Sequence, residues 1–390
     1  MIKKFGLKIL YVHDLQILYQ GKKIFGQYGF GDKYLEKFDG KDVEKINLMT
    51  RSLKLPKSNS NGITIIKNKK IKSIFNSEKI TYSDYLRLNN LKKILKSIQT
   101  ANLIIINMPS ITGSFVFILT RLVAFKTNIM LDFASDGSGW KTKKFGAIIS
   151  PCIAILMRYA VNKSIGTIFV AEYLKNKFYN KNKKNIVCSN VNIEIVRDSR
   201  CILKPLIKKS IINVSTISSI SKRKGVDTIV KGLNRAAIMT GCQINLVIIG
   251  GEIDITKEEL LKAGKNIHIQ FAGLLNKKNI NSILEGSDLY IQASISEGLP
   301  RATIEAMSHG LPILATNLPC FLELKINKKL IFSKSSDMDL ASSFIKIIES
   351  SQLYNLASSN NVRTANNYRF GLLDSKREKF IHQIYSEIKR

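Results

Sequence analysis

Two carboxylates stand eight residues apart, Glu297 and Glu305, in the run Ser296-Glu297-Gly298-Leu299-Pro300-Arg301-Ala302-Thr303-Ile304-Glu305. An apolar stretch from Leu289 to Ala293 precedes them and reads as a buried strand. Gly298 and Pro300 then open a helix, because proline suits the first helical turn. Gly310 and Pro312 close it. One acid therefore sits in a strand-to-helix loop, and the other lies a turn into the helix. Backbone N–H groups and the helix dipole point out of the same place, which favours an anion. A ligand carrying phosphate and hydroxyls together, such as a nucleotide sugar, matches that combination.

The elements that must position these acids form a regular alternation. In the second half, strands are expected at Ile211 to Ile217, Ile244 to Ile249, Ile267 to Ala272, Leu289 to Ala293 and Leu311 to Ala315, each followed by a helical segment. Near-continuous Ile, Val and Leu strands mean a parallel sheet covered on both faces. The first half repeats the scheme. Strands are expected at Lys8 to Val12, Asn47 to Arg51, Leu103 to Asn107, Asn128 to Phe133, Thr167 to Ala171 and Asn185 to Cys188. Tyr19 to Phe30 reads as a loop rich in glycine and aromatics, with Tyr28 and Gly29 near its end, and Ile63 to Ile66 and Ile71 to Phe75 read as a hairpin turning at Asn68-Lys69. At 390 residues two domains are the default. Polarity rises between Val191 and Lys209, which places a linker there. The expected fold class is α/β, with two doubly wound Rossmann-like domains, 1–200 and 201–370, facing a central cleft. A last helix, 371–390, would pack back on the first domain. Each sheet should offer ligands the carboxyl ends of its strands.

Composition narrows the classes. The 61 Lys and Arg against 29 Asp and Glu leave a formal charge of +32, read either as a solvated lysine surface or as attraction to an anionic partner. Anionic lipid is favoured over nucleic acid, because zinc-finger spacing and RNP-like aromatic runs are missing. The five cysteines have no CxxC or metal spacing and suit a reducing cytosol. The N-terminal run is broken by Lys8 and lacks a cleavage site, so a first buried strand is expected there rather than a signal peptide. Phe145 to Val161 is the longest apolar stretch; with Pro151 and Arg158 inside it, it reads as a core helix or as a face dipping into a membrane. No G-x-S-x-G elbow or Walker A loop is present.

The second half resembles the C-terminal domain of family-4 glycosyltransferases of the GT-B fold. Ser215 to Asp227 ends in Lys-Gly-Val-Asp, Ile248-Ile249-Gly250-Gly251 looks like the strand-end glycine motif, Phe271-Ala272-Gly273 like the F-x-G strand end, and Ser296 to Pro312 like the E-x7-E signature. The first half is similar more loosely to bacterial surface-polysaccharide glycosyltransferases, through Tyr11-Val12-His13-Asp14, the Gly/Tyr loop and Thr50-Arg51. The resemblance implies transfer of a sugar from a nucleotide-diphospho-sugar with retained anomeric configuration, without an essential metal or cofactor. Glu305 would accept hydrogen bonds from ribose hydroxyls. Glu297 would meet the donor sugar. Backbone near Gly298, Leu299 and Arg301 would line the phosphates, and Gly250 would lie at the donor-binding strand end.

The departing diphosphate needs fixed cations. Lys224 is the first candidate, with Arg223 and Lys222 beside it; the same three also read as a solvated basic loop. The family has an arginine five residues before that lysine, where this chain has Ser219. Lys222 or Arg223 then substitutes, or the activity is weak. Glu323 follows a loop in which Leu318-Pro319-Cys320 replaces the family's paired glycines; it is either a donor contact or a helix-start acid. Asp136, in Ser135-Asp136-Gly137-Ser138-Gly139, either orients a reacting hydroxyl or closes an Asx turn. Tyr28 and Gly29 are expected on the acceptor side.

Together these readings point to a cytoplasmic enzyme, peripheral at the inner face of the membrane, acting on a lipid-linked saccharide of an O-antigen, capsule or exopolysaccharide. The rival readings are a nucleotide-sugar epimerase of the same shape and a non-catalytic nucleotide-sugar or polysaccharide-binding scaffold; nucleic-acid binding ranks last.

Overall fold

The computed structural model describes residues 6–27, 30–55, 63–75, 77–124, 127–139, 146–181, 183–191, 193–194, 196, 209–369 and 371–389. The chain divides into two units, one of residues 1–188 with 374–390, the other of residues 189–373.

The first unit is built on a mostly parallel sheet. Its strands are β1 (Leu7–Gln20), β2 (Lys23–Gln27), β3 (Val43–Lys54), β4 (Ile63–Ile65), β5 (Ile71–Ser73), β6 (Leu103–Met108), β7 (Asn128–Phe133), β8 (Gly166–Phe169) and β9 (Lys184–Val187). β6 is Leu-Ile-Ile-Ile-Asn-Met and buried at every position, the mark of a strand covered on both faces. The helices are α1 (Asp32–Leu35), α2 (Leu88–Thr100), α3 (Ile111–Val123), α4 (Gly146–Lys163) and α5 (Glu172–Phe178). The steps from β6 to β7, β8 and β9 all run the same way across the sheet. Right-handed crossovers therefore put α3, α4 and α5 side by side on one face. A closing helix of the same unit, from Leu372 to Ile388, is tied to the segment after α1 by a hydrogen bond from Tyr385 Oη to the Phe38 carbonyl, 2.7 Å.

Four local expectations are corrected here. First, β1 does not stop at Val12. It runs to Gln20 with a register irregularity between Val12 and Gln16. There the Asp14 carboxylate leaves the sheet to accept the N–H groups of Ile111 and Thr112 (2.8 and 2.9 Å), capping α3. Second, the stretch from Tyr19 is a β-hairpin rather than a loop: β1 and β2 pair antiparallel with Leu18 opposite Phe25. Gln20 faces Lys23, which leaves Gly21 and Lys22 as a two-residue turn. Third, β4 and β5 do not pair with each other. β4 adds antiparallel to β2, and β5 lies parallel to β3. The intended turn is instead held by Asp32, which accepts from the Lys67 and Asn68 N–H groups, and by Asp39, which accepts from the Asn68 side chain. β3 is also longer than the short strand expected at Asn47 to Arg51, because β1 carries it along its own extension.

The second unit holds a parallel six-stranded sheet in the order β12-β11-β10-β13-β14-β15. Its strands are β10 (Ile211–Ile217), β11 (Gln243–Ile249), β12 (His268–Gly273), β13 (Leu289–Gln292), β14 (Ile313–Thr316) and β15 (Ile331–Phe332). The helices are α6 (Val226–Thr240), α7 (Lys257–Ala263), α8 (Lys277–Gly286), α9 (Arg301–Ser308), α10 (Pro319–Glu323), α11 (Asp337–Ile348) and α12 (Ser351–Ala365); the closing helix of the first unit is α13. Strand order reverses between β10 and β13, which opens a crevice at the carboxyl ends of these two strands. Among the described residues no helix is long and apolar enough to cross a membrane. Most of the expected linker, including residues 197–208, lies outside the described residues.

Candidate active site

The crevice at β10 and β13 collects most of the charged residues singled out above. After β10 the chain makes a single helical turn over Lys222–Lys224 and reverses at Gly225, whose φ of 65° lies in the left-handed region. A Cβ at Gly225 would lie 2.1 Å from the Ala293 carbonyl oxygen, so glycine is what lets this turn press against the end of β13. The Ile295 N–H donates to the Arg223 carbonyl (2.9 Å), and Arg223 Nη1 donates to the Ser296 carbonyl (3.2 Å). Two loops that are distant in sequence are thereby clasped into one surface. Gly225→Ala should release that clasp and cost about 2 kcal/mol or more. Urea unfolding should show a lower midpoint with an unchanged slope.

On this surface Lys224 donates to Glu297 Oε1. The same oxygen accepts from Ser294 Oγ at 2.8 Å. Behind Ser294 runs a buried relay: Tyr290 Oη donates to Gln292 Oε1 (2.7 Å), and Gln292 Nε2 donates to Ser294 Oγ (2.9 Å). Thr316 Oγ1 fixes the Ser294 carbonyl from the next strand, at 2.6 Å. Burial drives the Tyr290 phenol well up from its ordinary pKa, so it stays a neutral donor. The loop carboxylate is therefore aimed by a chain of oriented dipoles, and its partner cation is held at one end. Sequence reasoning missed Tyr290, Gln292 and Ser294. Their spacing of two puts Tyr290 and Gln292 on one face of β13, with Ser294 two positions past its last residue, and polar residues at that spacing in and just after a buried strand were the signal.

The other donor-side candidates scatter around this pair. The Lys222 N–H donates to Asp254 (2.8 Å), which anchors the basic turn. Ser219, at the position of the family's arginine, has its hydroxyl 3.3 Å from that of Ser221. Gly250 has a φ of 152°, and a Cβ there would lie 2.0 Å from the Ser218 carbonyl oxygen, so β11 ends tight against the loop after β10. Gly298 and Leu299 form the bend before α9, Pro300 is its N-cap, and Arg301 is its exposed first residue. Glu305 lies on α9 in a shallow pocket with Ile193, Glu194, Lys277, Asn281, Ser308 and His309. Burial raises its pKa, with Arg301 and Lys277 pulling the other way. Glu323 is corrected: it is the last residue of α10, not a helix-start acid, because the expected loop is itself helical from Pro319.

In the first unit, Asp136 closes an Asx turn. Its Oδ1 accepts from the Ser138 N–H (2.9 Å) and its Oδ2 pairs with Lys177 (2.7 Å). Burial works to raise its pKa, but Lys177 and Ser138 prevail and the net direction is down. Tyr28 and Gly29 lie outside the described residues. A second constellation, missed from sequence, joins the middle of β1 to the carboxyl end of β7. Lys37 Nζ and Tyr34 Oη both donate to Asp132 Oδ2 (3.3 and 3.2 Å), and Tyr11 Oη lies 3.1 Å from Tyr34 Oη. Burial lowers the Lys37 pKa to about 8 and that of His13 to about 4. His13 Nδ1 accepts the Leu15 N–H at 2.9 Å, so the neutral ring carries its proton on Nε2. Lys37 and Asp132 are 95 positions apart, and no spacing rule joins them. Among the described residues no group of three or more His, Cys, Asp or Glu is placed to hold a metal ion.

Residues 204–364 match the family model described as glycosyl transferases group 1. Over nearly the whole chain the sequence is similar to Protein CapJ of Staphylococcus aureus, with 25% identity over 389 residues, 96% of this chain and 94% of CapJ. A shorter similarity, 23% over 147 residues, joins 36% of the chain to 40% of the O-antigen biosynthesis glycosyltransferase WclY of Escherichia coli. The structure resembles that of Anabaena HepE solved with UDP and glucose, at a TM-score of 0.61 and 14% identity, covering 98% of this chain and all of that one. The fold is thus GT-B, and the match to the glycosyl transferases group 1 model falls in its second unit.

Proposed function

We propose that the protein transfers a sugar from a nucleotide-diphospho-sugar, with retention of configuration, to a lipid-linked saccharide in surface-polysaccharide synthesis. The observation that carries this reading is the Lys224–Glu297 pair, held by Ser294 at the strand-order reversal within the stretch that matches the glycosyl transferases group 1 model. The described residues of this cluster supply a cation for phosphate and a fixed carboxylate for hydroxyls. The diphosphate of the donor takes Lys224 from Glu297, and Arg223 adds a second positive group in place of the absent arginine. Glu297, freed on that side and still oriented by Ser294, accepts hydrogen bonds from the donor sugar. Glu305 accepts from the ribose. The bond between the sugar's anomeric carbon and the diphosphate oxygen breaks, its electron pair leaving on the phosphate next to Lys224. The acceptor hydroxyl forms the new bond on the same face, and its proton passes to the departing phosphate oxygen. No step in this scheme calls for a metal ion.

UDP is the nucleotide to try first, since HepE was solved with it. The WclY similarity supports an acceptor in O-antigen-like synthesis, and a lipid-linked acceptor places the enzyme at the cytoplasmic face of the membrane. The first unit, with Asp136 just past β7 and His13 within β1, is assigned to the acceptor.

A thermal-shift screen of nucleotide sugars tests the donor assignment. A donor present at a hundred times its Kd should stabilise the protein by about 2.7 kcal/mol, with a dose-dependent rise in Tm. A flat response across UDP-, GDP-, dTDP- and CDP-sugars would count against it. Donor incubated alone should yield no isomerised sugar, which separates transfer from epimerisation.

A further inference from the structure

We propose that the outer faces of α3 and α4 form a docking surface for an anionic lipid bilayer. The proposal rests on the reading of the acceptor as lipid-linked, and it names the surface that would bring the enzyme to it.

Isolated apolar residues on a protein surface are ordinary. Here they are stacked. On α3, Ile111, Ile118 and Leu122 are exposed, at positions i, i+7 and i+11; on α4, Ile148, Ile155 and Tyr159 repeat the same spacing. Each set is one stripe along a helix, on the side a soluble protein makes polar. Leu122, Ile148 and Ile155 are 69, 71 and 66% exposed. The stripes are neighbours: Phe117 of α3 and Tyr159 of α4 meet edge-on, with ring centroids 5.8 Å apart. Cys152, also exposed, continues the α4 stripe between Ile148 and Ile155.

Charge selects the occupant. Residues 111–171 contain seven Lys and Arg but only two acids, Asp132 and Asp136. Both acids are consumed inside the unit, Asp132 by Lys37 and Asp136 by Lys177. Arg158 and Lys163 of α4 remain exposed, and Lys163 Nζ lies 5.7 Å from the Tyr159 ring centroid. An apolar stripe with a one-signed basic border and an aromatic at its edge is the pattern of a helix lying in the headgroup layer. Anionic headgroups complement the border, and acyl chains take the stripe. A second copy would bring the same positive border against itself, which like-charge repulsion opposes.

The test is co-sedimentation of the full-length protein with vesicles of phosphatidylcholine alone and of phosphatidylcholine with phosphatidylglycerol. Wild type should bind the anionic vesicles, and added salt should weaken but not abolish binding. Leu122→Glu/Ile155→Glu should lower the partition coefficient by about tenfold or more. Arg158→Gln/Lys163→Gln should reduce the salt dependence. Because these side chains are exposed, all variants should melt like wild type and keep the wild-type nucleotide-induced Tm shift. Equal binding to neutral and anionic vesicles, or undiminished binding by Leu122→Glu/Ile155→Glu, overturns the proposal. So does a dimer in solution that this variant dissolves, since the face then belongs to a second copy. Failure of the glycosyl-transfer reading would appear separately, as wild-type protein that binds vesicles but no nucleotide sugar.

Discussion

Lys224→Met is expected to lower kcat/KM for sugar transfer by roughly a hundred- to a thousandfold, the range for removing one preorganised charge-stabilising group. Gly225 lets the basic turn approach Ala293 closely enough for Lys224 to reach Glu297. Negative charge accumulates on the diphosphate as the glycosidic bond breaks, so the loss should fall more on kcat than on donor KM. A purely structural role for Lys224 predicts something else. Breaking a partly buried pair leaves Glu297 uncompensated, and the main effect would be a lower Tm. Lys224→Met/Glu297→Gln removes both charges, while the amide oxygen introduced in the loop still accepts from Ser294. If the double variant regains stability but not activity, the pair acts on the substrate and not only on the loop; if it regains both, the pair only holds the loop.

Replacing Glu305 should separate binding from stability in the opposite sense. Loss of its charge-assisted hydrogen bonds to ribose in Glu305→Ala should cost about 1.5–3 kcal/mol, a weakening of roughly ten- to a hundredfold in nucleotide affinity. The free protein should gain. Burial holds the Glu305 pKa above that of the unfolded chain, against the pull of Arg301 and Lys277. The native state therefore keeps its proton where the unfolded state has lost it. Stability contributed by this group is present below the unfolded pKa and is lost as pH rises through the folded one. Glu305→Gln should remove that loss, so the unliganded variant should be more stable than wild type at neutral pH and the two should converge in acid. Urea midpoints across pH read this directly. A carboxylate kept at a stability cost is what a binding site requires.

Much of this architecture is readable without coordinates, for a physical reason. Parallel strands covered on both faces are rich in Ile, Val and Leu, most completely in β6 and with polar interruptions in β10 and β11, and glycine or proline marks the turns between them. Sequence patterns mislead where side chains make long-range bonds. Asp14 looks like the end of a strand because it is polar, yet it caps α3 from nearly a hundred residues away while β1 continues past it. Asn68-Lys69 looks like a hairpin turn, but Asp32 and Asp39 decide where that loop goes. At the site, Glu297, Glu305 and Lys224 stand out by type and spacing. The link from Lys224 to Glu297 crosses 73 positions and depends on the clasp between two loops. The Tyr290-Gln292-Ser294 relay was hidden among apolar neighbours, although its period of two was visible.

Whether the crevice at β10 and β13 binds the diphosphate and ribose of a nucleotide-sugar donor is decided by calorimetric titration. UDP and uridine are each titrated into wild type, Lys224→Met and Glu305→Ala, with the nucleotide replaced by whichever base the donor screen selects. Lys224→Met should weaken the diphosphate nucleotide and leave the nucleoside unchanged, while Glu305→Ala should weaken both. Nucleotide affinity unaffected by either substitution would contradict the assignment of this crevice to the donor.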